Sequence, residues 1–318
     1  MKKNNIKNIL ITGAGGAGTI TAIKNLKESG KYKIIAGDSN PYAYGLKRAD
    51  VSYVLPMASD SSYLDAIKDI LLKEQIDYYI PLIDEEISKA YDVVSLRKMK
   101  LLAPSREFSS LAFDKYLMTN RLREIGVDGP RTFLATHEIN AEEYPVFVKP
   151  RRGRGSRDAR SIKNPEELRA FKILSGLSEE EIVVQDYLEG EEYTVSVVVN
   201  SANSLFAVVP KKVIVKRGIT QIAVSRCVPS IEETCRKIVY KLQPRGPFNV
   251  QLKLVDDRPY VFEINPRYST TLSLTLESGV DEIGLLIERY DEKYSGELLP
   301  FAENIMLSRH WESVFYGT

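Results

Sequence analysis

The sequence contains few of the residues on which several classes of protein depend. There are only two cysteines, Cys227 and Cys235, and their spacing fits neither a disulfide framework nor a metal site. With only two histidines, the chain shows no recognisable Ser/His/Asp or Cys/His arrangement, which argues against a hydrolase of the catalytic-triad type. Cys235 falls on the apolar face of a predicted helix over 231–242, so we expect it in the core. Reduced thiols favour a cytoplasmic location.

Long apolar runs and a strong net charge are also missing. No run approaches the roughly 18 apolar residues of a membrane-spanning helix, and the first apolar stretch is too short for a signal peptide. Lysine plus arginine (44) nearly balances aspartate plus glutamate (43), so no overall field indicates nucleic acid or a membrane as a partner. The 43% of apolar residues are typical of a globular protein, and 318 residues suggest two or three domains.

Strand and helix patterns alternate over the first hundred residues, which predicts a doubly wound parallel sheet. After a first strand, Gly13, Gly15 and Gly18 match the G-x-G-x-x-G pattern, and a second strand ends at Asp38. This pattern is typical of NAD binding, with the pyrophosphate at a helix N-terminus and the acid on the ribose. Close packing of a strand against a helix also needs a glycine turn, so ligand binding at this turn stays open.

A second candidate site begins at Lys149, at the end of a predicted strand over 144–150. The loop that follows, over 151–157, is rich in glycine and serine and contains four arginines. Its backbone N–H groups could bind phosphates, and its charge suits a polyanion. The alternative is a mobile basic surface loop. No aromatic residues lie among the basic ones, so the stacking platform of a nucleic-acid-binding protein is missing.

Two apolar-rich runs around a polar turn at 256–258 predict an antiparallel hairpin over 248–267. A turn symmetric about Asp257 gives the pairs Asn249–Asn265, Gln251–Glu263, Lys253–Val261 and Val255–Pro259. One face then carries a carboxylate and amide oxygens, which suit Mg²⁺, while Tyr260, Phe262 and Ile264 lie on the other face. Arg267 follows at the rim, where a planar cation could meet phosphate. The alternative is a solvated polar face with one chance carboxylate.

Four motifs follow one another along the chain at compatible spacings. They are Asp114-Lys115, 145–150 (PVFVKP) with its Gly/Ser loop, 185–192 (QDYLEGEE), and 248–251 (FNVQ) with 263–267 (EINPR). Together they resemble the ATP-grasp enzymes, most closely carboxylate–amine ligases of the carbamoyl phosphate synthetase large-subunit type. The resemblance runs from the glycine-rich start to about Gly279. Asp158 departs from it, since the family loop usually has glycine there, and Gln185 replaces the usual acid.

The resemblance implies a fold of α/β and α+β type. A Rossmann-like pre-ATP-grasp domain would cover 1–103, and a two-lobed ATP-grasp domain would follow, with one lobe over 104–187 and the other over 188–318. ATP would lie between the two lobes and not on the N-terminal glycine turn.

The resemblance also assigns the site. ATP would be bound by Lys115, Lys149, Gly153, Gly155, Ser156, Gln185, Asp186, Leu188 and Glu192. Mg²⁺, with Mn²⁺ as an alternative, would be held by Gln251, Glu263 and Asn265. Arg267, together with Arg217 beyond a predicted strand over 205–210, would stabilise the transferring phosphoryl group.

The activity that follows from the resemblance is an ATP- and Mg²⁺-dependent ligase, which activates a carboxylate as an acyl phosphate and couples it to an amine. Its partners would be a small-molecule carboxylate and amine, and similar enzymes are often homodimers. Two alternatives remain at this stage. One is an NAD(P)-dependent oxidoreductase that uses the glycine turn, and the other is a non-catalytic ATP-binding protein of the same fold.

Overall fold

The computed structural model describes residues 6–94, 99–153 and 158–315, and its strands form three separate sheets. None of the helices in these ranges combines the length and the apolar character that crossing a membrane requires.

An open parallel sheet forms the N-terminal part, as the alternating patterns predict. Its strands are β1 (Lys7–Thr12), β2 (Tyr32–Asp38), β3 (Val51–Val54), β4 (Tyr78–Pro81) and β5 (Lys100–Leu101), and its helices are α1 (Thr19–Glu28), α2 (Tyr44–Arg48), α3 (Tyr63–Lys73) and α4 (Asp84–Val93). The strand order is β3-β2-β1-β4-β5, so the direction of winding reverses between β1 and β4. Such a reversal brings the loops after the two strands side by side, and Gly13 packs here against Ile83.

The second sheet is antiparallel and packs against one helix. The chain first forms α5 (Arg106–Ala112) and α6 (Lys115–Glu124), and then β6 (Thr132–Leu134), β7 (Val146–Pro150), β8 (Arg160–Ile162), α7 (Pro165–Ser175) and β9 (Ile182–Asp186). The strand order is β6-β9-β7-β8. Leu168 and Phe171 of α7 share a buried cluster with Val146 and Val148 of β7, so burial of this apolar face holds the helix on the sheet.

The third sheet is antiparallel and follows in the chain after a short connection. Its elements are β10 (Glu191–Val199), β11 (Leu205–Arg217), β12 (Ile219–Ser225), α8 (Pro229–Leu242), β13 (Phe248–Val255), β14 (Arg258–Asn265), α9 (Leu272–Glu277), α10 (Glu282–Glu288) and β15 (Met306–Ser308). The strand order is β14-β13-β10-β11-β12-β15. Cys235 is buried on α8, as predicted. β11 continues well past its predicted end at residue 210, because the apolar run 213–215 pairs with β12.

The hairpin β13–β14 has the predicted pairs at its open end but not near its turn. Asn249–Asn265 and Gln251–Glu263 are present, as predicted. The predicted pairs Lys253–Val261 and Val255–Pro259 are wrong. The pairs found there are Leu252–Val261, Lys253–Tyr260, Leu254–Pro259 and Val255–Arg258.

Two local features explain this register. Asp256 and Asp257 form a two-residue turn with positive φ angles of +47° and +58°, so Arg258 already belongs to β14. A bulge beyond Gln251 then makes Phe262 the extra residue of its strand. The two-residue turn shifts the pairing by one residue and the bulge shifts it back. Gln251 and Glu263 therefore pair as predicted.

The N-terminal sheet and the third sheet share one buried apolar cluster. It includes Ile9 and Ile34 from the first sheet and Phe206 and Leu272 from the third part of the chain. Burial of this joint cluster fixes the N-terminal loops against the third sheet. The predicted boundaries at 103/104 and 187/188 fall between the sheets, and the division of the chain into domains there stays a prediction.

Candidate active site

A cleft lies between the second and third sheets and reaches the N-terminal sheet. It consists of three cavities of about 210, 300 and 190 Å³, which we call the front, middle and hinge cavities. Their lining residues include Asp84, Glu85, Ser88 and Asn265 in the front cavity, Asp158, Lys149 and Gln251 in the middle cavity, and Gln185, Asp186, Leu188, Glu192 and Lys253 in the hinge cavity. Lys115 and Glu263 line both the front and the middle cavities, and Phe147 and Phe262 line both the middle and the hinge cavities. The three cavities therefore adjoin one another along the cleft.

Lys149 and Glu263 face each other where β7 and β14 approach. Lys149 Nζ is 3.5 Å from Glu263 Oε2, and the lysine side chain is only 3% exposed. Burial lowers the pKa of Lys149 to about 8, although the nearby Glu263 opposes this change. Burial alone would raise the pKa of Glu263, but Lys149 and the cations around it lower it below its ordinary value. Glu263 therefore stays ionised, as a metal ligand must.

The β-bulge at Phe262 shapes the middle of the cleft. Because Phe262 is the extra residue, its carbonyl accepts a hydrogen bond from Lys149 Nζ at 3.1 Å. Val261 and Ile264 are buried in the apolar core, whereas Phe262 and Glu263 both line the cleft. The prediction that Phe262 lies on the apolar face is therefore wrong, since the bulge breaks the strict alternation of the strand.

Asp114 connects the start of α6 to the chain beyond Lys149. Its carboxylate caps the helix by accepting from the Leu117 N–H at 3.1 Å and is 2.8 Å from Arg151 Nε and 3.3 Å from Arg152 Nη2. Lys115 donates from Nζ to the Gly153 carbonyl at 2.7 Å. The expectation that the four arginines of the loop serve a polyanion is thus modified, because Arg151 is already paired. Predicted ligands Gly155 and Ser156 lie outside the described residues.

The hinge cavity surrounds the connection from β9 to β10. Gln185 is buried, and its Nε2 donates to Thr132 Oγ1 at 3.0 Å, so its amide oxygen is the end that it can offer to a ligand. Asp186 and Leu188 line the same cavity. Glu192 and Lys216 also line this cavity, and their side chains pair at 2.7 Å.

The front cavity brings the N-terminal sheet to the end of the hairpin. Arg267 Nε donates to Asp84 Oδ1 at the start of α4, and Arg267 Nη2 lies 3.4 Å from Asn265 Oδ1. Glu85 and Ser88 of the same helix line this cavity together with Asn265 and Glu263. The sequence alone does not bring Asp84 and Arg267 together, because the two residues are 183 positions apart.

Arg217 is not brought to the cleft. It is exposed at the end of β11, opposite Ile219, and lines none of the three cavities in the described chain. Its neighbour Lys216 lines the middle and hinge cavities instead. Adjacent strand residues point to opposite faces, so one of the two must face away. Because the sequence predicts that this strand ends at residue 210, it does not indicate which of Lys216 and Arg217 faces the cleft.

The polar end of the hairpin fits a hard cation that shares its ligands with phosphate. Gln251 lies opposite Glu263 in the ladder, and Asn265 follows two residues later on the same strand. The buried Nδ2 of Asn265 has no hydrogen-bond partner among the described residues; as a donor it could bind a phosphate oxygen, whereas its Oδ1 is the atom that could bind a cation. No group of three or more acidic, histidine or cysteine ligands occurs in the described ranges. One carboxylate with amide oxygens suits Mg²⁺, which also takes phosphate and water oxygens.

The N-terminal glycine turn makes contacts within the protein. The Gly15 N–H donates to Asp38 Oδ2 at 2.7 Å, so the acid predicted for a ribose already binds the turn. A Cβ on Gly18 would be 3.3 Å from the Thr270 carbonyl oxygen. Gly18 therefore allows the turn to pack closely against the segment that follows Arg267.

Two family models match the chain. The model of the ATP-grasp domain matches residues 112–271, which is half of the chain, and the model of the PylC-like N-terminal domain matches residues 9–93. The chain therefore belongs to the ATP-grasp family, which confirms the resemblance seen in its motifs. Enzymes of this class use ATP and Mg²⁺ and act as ADP-forming carboxylate–amine ligases, and the match does not support the oxidoreductase alternative.

Solved structures with the same fold include three enzymes of known type. Biotin carboxylase from Campylobacter jejuni is 20% identical, with a TM-score of 0.77 over 96% of this chain and 75% of that one. N5-carboxyaminoimidazole synthetase from Staphylococcus aureus is 17% identical, with a TM-score of 0.74 over 93% of this chain and 80% of that one. L-amino acid ligase from Bacillus licheniformis is 15% identical, with a TM-score of 0.72 over 90% of this chain and 74% of that one. These likenesses confirm the predicted α/β and α+β fold.

Proposed function

We propose that this ATP-grasp protein activates a small-molecule carboxylate as an acyl phosphate at the Lys149–Glu263 centre and couples it to an amine, with release of ADP and phosphate. The observation that carries the proposal is the row of three adjoining cavities, which places the hinge, the buried Lys149–Glu263 pair and the Arg267–Asp84 pair along one cleft. Each region corresponds to one part of such a reaction: nucleotide, phosphoryl group and acceptor.

The hinge cavity is proposed to take the nucleoside. The amide oxygen of Gln185 would accept from the exocyclic amine of adenine, and the backbone of Asp186–Leu188 would supply the remaining hydrogen bonds. Phe147 and Phe262 offer apolar walls for the base. Glu192 would hold the ribose, in exchange for its present contact with Lys216.

The middle cavity is proposed to take the triphosphate. Lys149 and Lys115 would contact phosphate oxygens, and Gly153 allows the backbone to approach them closely. Gln251, Glu263 and Asn265 would hold Mg²⁺, which when bound neutralises the charge that develops on the phosphates. Phosphoryl transfer depends mainly on position and charge, so a dedicated base is not needed for this step.

The front cavity is proposed to take the acceptor. Arg267 would stabilise the transferring phosphoryl group, and its bond to Asp84 fixes the direction of its guanidinium. For the second cation we propose Lys216 in preference to Arg217, because only Lys216 lines the cleft. A cytoplasmic location and a homodimer stay predictions.

The substitution Glu263→Gln tests this proposal. ADP formation should be measured over a panel of amino acids, dipeptides and sugar acids, each with and without an amine. We expect acceptor-dependent ADP formation by the wild type and a loss of about 100-fold or more in the variant, because one ligand charge is removed. Glu191→Gln, which removes a carboxylate outside the cleft, is the matched control and should keep full activity.

Turnover like that of the wild type in the Glu263→Gln variant would disprove the metal assignment. ATP binding without ADP formation over the whole panel would instead favour the non-catalytic alternative.

A further inference from the structure

Arg309 follows β15, and its half-buried guanidinium donates to backbone carbonyls in three distant segments. Nε donates to the Thr220 oxygen at 3.0 Å, Nη1 to the Ala17 oxygen at 3.1 Å and Nη2 to the Thr270 oxygen at 2.6 Å. A guanidinium is planar and its N–H directions are fixed, so three such bonds determine how the three carbonyls lie relative to one another.

Each of these carbonyls belongs to a different part of the molecule. Ala17 lies in the N-terminal glycine turn, Thr220 lies at the start of β12, and Thr270 lies three residues after Arg267. Gly18 packs against the same Thr270 carbonyl. Arg309 therefore holds the glycine turn, the third sheet and the chain that leaves β14 at one point.

A buried network leads from this point back to the hairpin. Ser269 Oγ lies 2.8 Å from Thr271 Oγ1 and 3.4 Å from Thr194 Oγ1. Thr194 in turn donates to Asn249 Oδ1 at 2.7 Å. Asn249 is directly opposite Asn265 in the ladder. The segment that Arg309 holds is thus bonded to β13, which carries Gln251 and pairs with β14, the strand of Glu263 and Asn265.

The partial burial of Arg309 is unfavourable for its positive charge. Burial lowers its pKa from the ordinary value, and no carboxylate among the described residues offsets this effect. Desolvation of a partly buried cation that is held by carbonyls alone offsets part of the stability that its hydrogen bonds contribute. The guanidinium nevertheless fixes the relative positions of three separate carbonyls, because it can donate to all of them at once.

We propose that Arg309 is a positioning residue for phosphoryl transfer. It holds the segment 266–271 against the glycine turn and so fixes Arg267 and Asn265 at the front cavity. The proposal rests on the function proposed above. Within the described chain Arg309 lines none of the front, middle and hinge cavities, so it acts through this segment and touches no substrate.

The first test uses amide hydrogen exchange in the full chain, without substrate. Arg309→Met should speed exchange about tenfold or more in peptides that cover 12–18 and 266–271, and should leave the hinge at 182–190 unchanged. Arg309→Lys should restore part of the protection. Arg226→Met is the matched control, because Arg226 contacts Asn304 of the same tail and reaches neither peptide. Unchanged exchange in both peptides, or an equal rise over the whole chain, would overturn the proposal.

The second test is kinetic. In Arg309→Met, kcat at saturating ATP and Mg²⁺ should fall about tenfold or more while the Kd of ATP measured without Mg²⁺ stays within about twofold, because displacement of a reacting group by about 1 Å is enough to slow catalysis strongly. An unchanged kcat, or an equal loss of nucleotide binding, would contradict the positioning role. If the wild type itself forms no ADP, the proposed ligase activity fails, whereas the exchange experiment still tests whether Arg309 holds the segment.

Discussion

Asp158 is one of two residues, with Gln185, at which this chain departs from the ATP-grasp pattern, and the pattern usually has glycine in place of Asp158. Its φ is +54°, in the region that favours glycine, and it lines the middle cavity with Lys149 and Glu263. We expect Asp158→Gly to tighten ATP–Mg²⁺ binding about three- to tenfold, because a negative charge next to the triphosphate is removed.

Asp158→Asn distinguishes the effect of the carboxylate charge from the effect of backbone conformation, since asparagine also tolerates this φ. Both variants should bind ATP–Mg²⁺ more tightly in calorimetric titrations if the carboxylate is responsible. Tighter binding in the glycine variant alone would assign the effect to the backbone, and weaker binding in both would show that the carboxylate helps to bind the nucleotide.

The pKa of Lys149 makes nucleotide binding depend on pH. Burial lowers this pKa to about 8, and phosphate binding needs the charged amine. The Kd of ATP–Mg²⁺ should therefore rise as pH increases through about 8, by up to about tenfold per pH unit. Calorimetry at pH 7, 8 and 9 measures it, and a constant Kd over this range would contradict the role given to Lys149.

A rise in pH has opposite effects on nucleotide binding and on the free energy of unfolding. The folded pKa of about 8 lies below the ordinary value of 10.5, so the unfolded chain binds more protons between them. The contribution of Lys149 to the free energy of unfolding therefore increases with pH over this interval.

Residues differ in how far the sequence reveals them. Lys149, Glu263 and Gln185 belong to motifs with a defined order, and they do meet in one cleft. Arg309 gives no such signal, because its partners are backbone carbonyls that any residue could supply. Lys216 gives no such signal either, because the basic residues in β11 hide the alternation of this strand.

Among the structural elements, the hinge between β9 and β10 depends on one glycine. Gly190 has a φ of +150°, and a Cβ there would lie 2.5 Å from the Leu254 carbonyl oxygen. We expect Gly190→Ala to lower the free energy of unfolding by about 1–3 kcal/mol and to weaken nucleotide binding, because the hinge must shift.

Gly176→Ala provides the matched control, since Gly176 also has positive φ (+66°) but has nothing within 4 Å of a built Cβ. It should cost about 1 kcal/mol and leave ATP binding unchanged. Urea denaturation and ATP titration of both variants measure these effects. Equal behaviour of the two would mean that the close approach at Gly190 does not matter.

The hairpin shows why elements are easier to predict than their details. Apolar runs and a polar turn predict its strands, and a symmetric turn predicts the Gln251–Glu263 pair. Sequence alternation contains no information about the bulge at Phe262, because a bulge depends on which backbone groups pair. The orientation of Phe262 into the cleft could therefore not be predicted, although its strand could.

At the scale of the whole molecule, the N-terminal sheet and the third sheet share one core, whereas the second sheet has its own. Phe206 is fully buried in the shared core and stacks on Tyr294 with ring centres 5.0 Å apart. We expect Phe206→Ala to cost about 3–5 kcal/mol and to speed amide exchange in both sheets together, since the cavity lies where they join. Phe171→Ala, in the core of the second sheet, should cost a similar amount but affect that sheet alone. Faster exchange in the third sheet without the N-terminal sheet would show that the two do not unfold as one unit, and the front cavity would then form between parts that move independently.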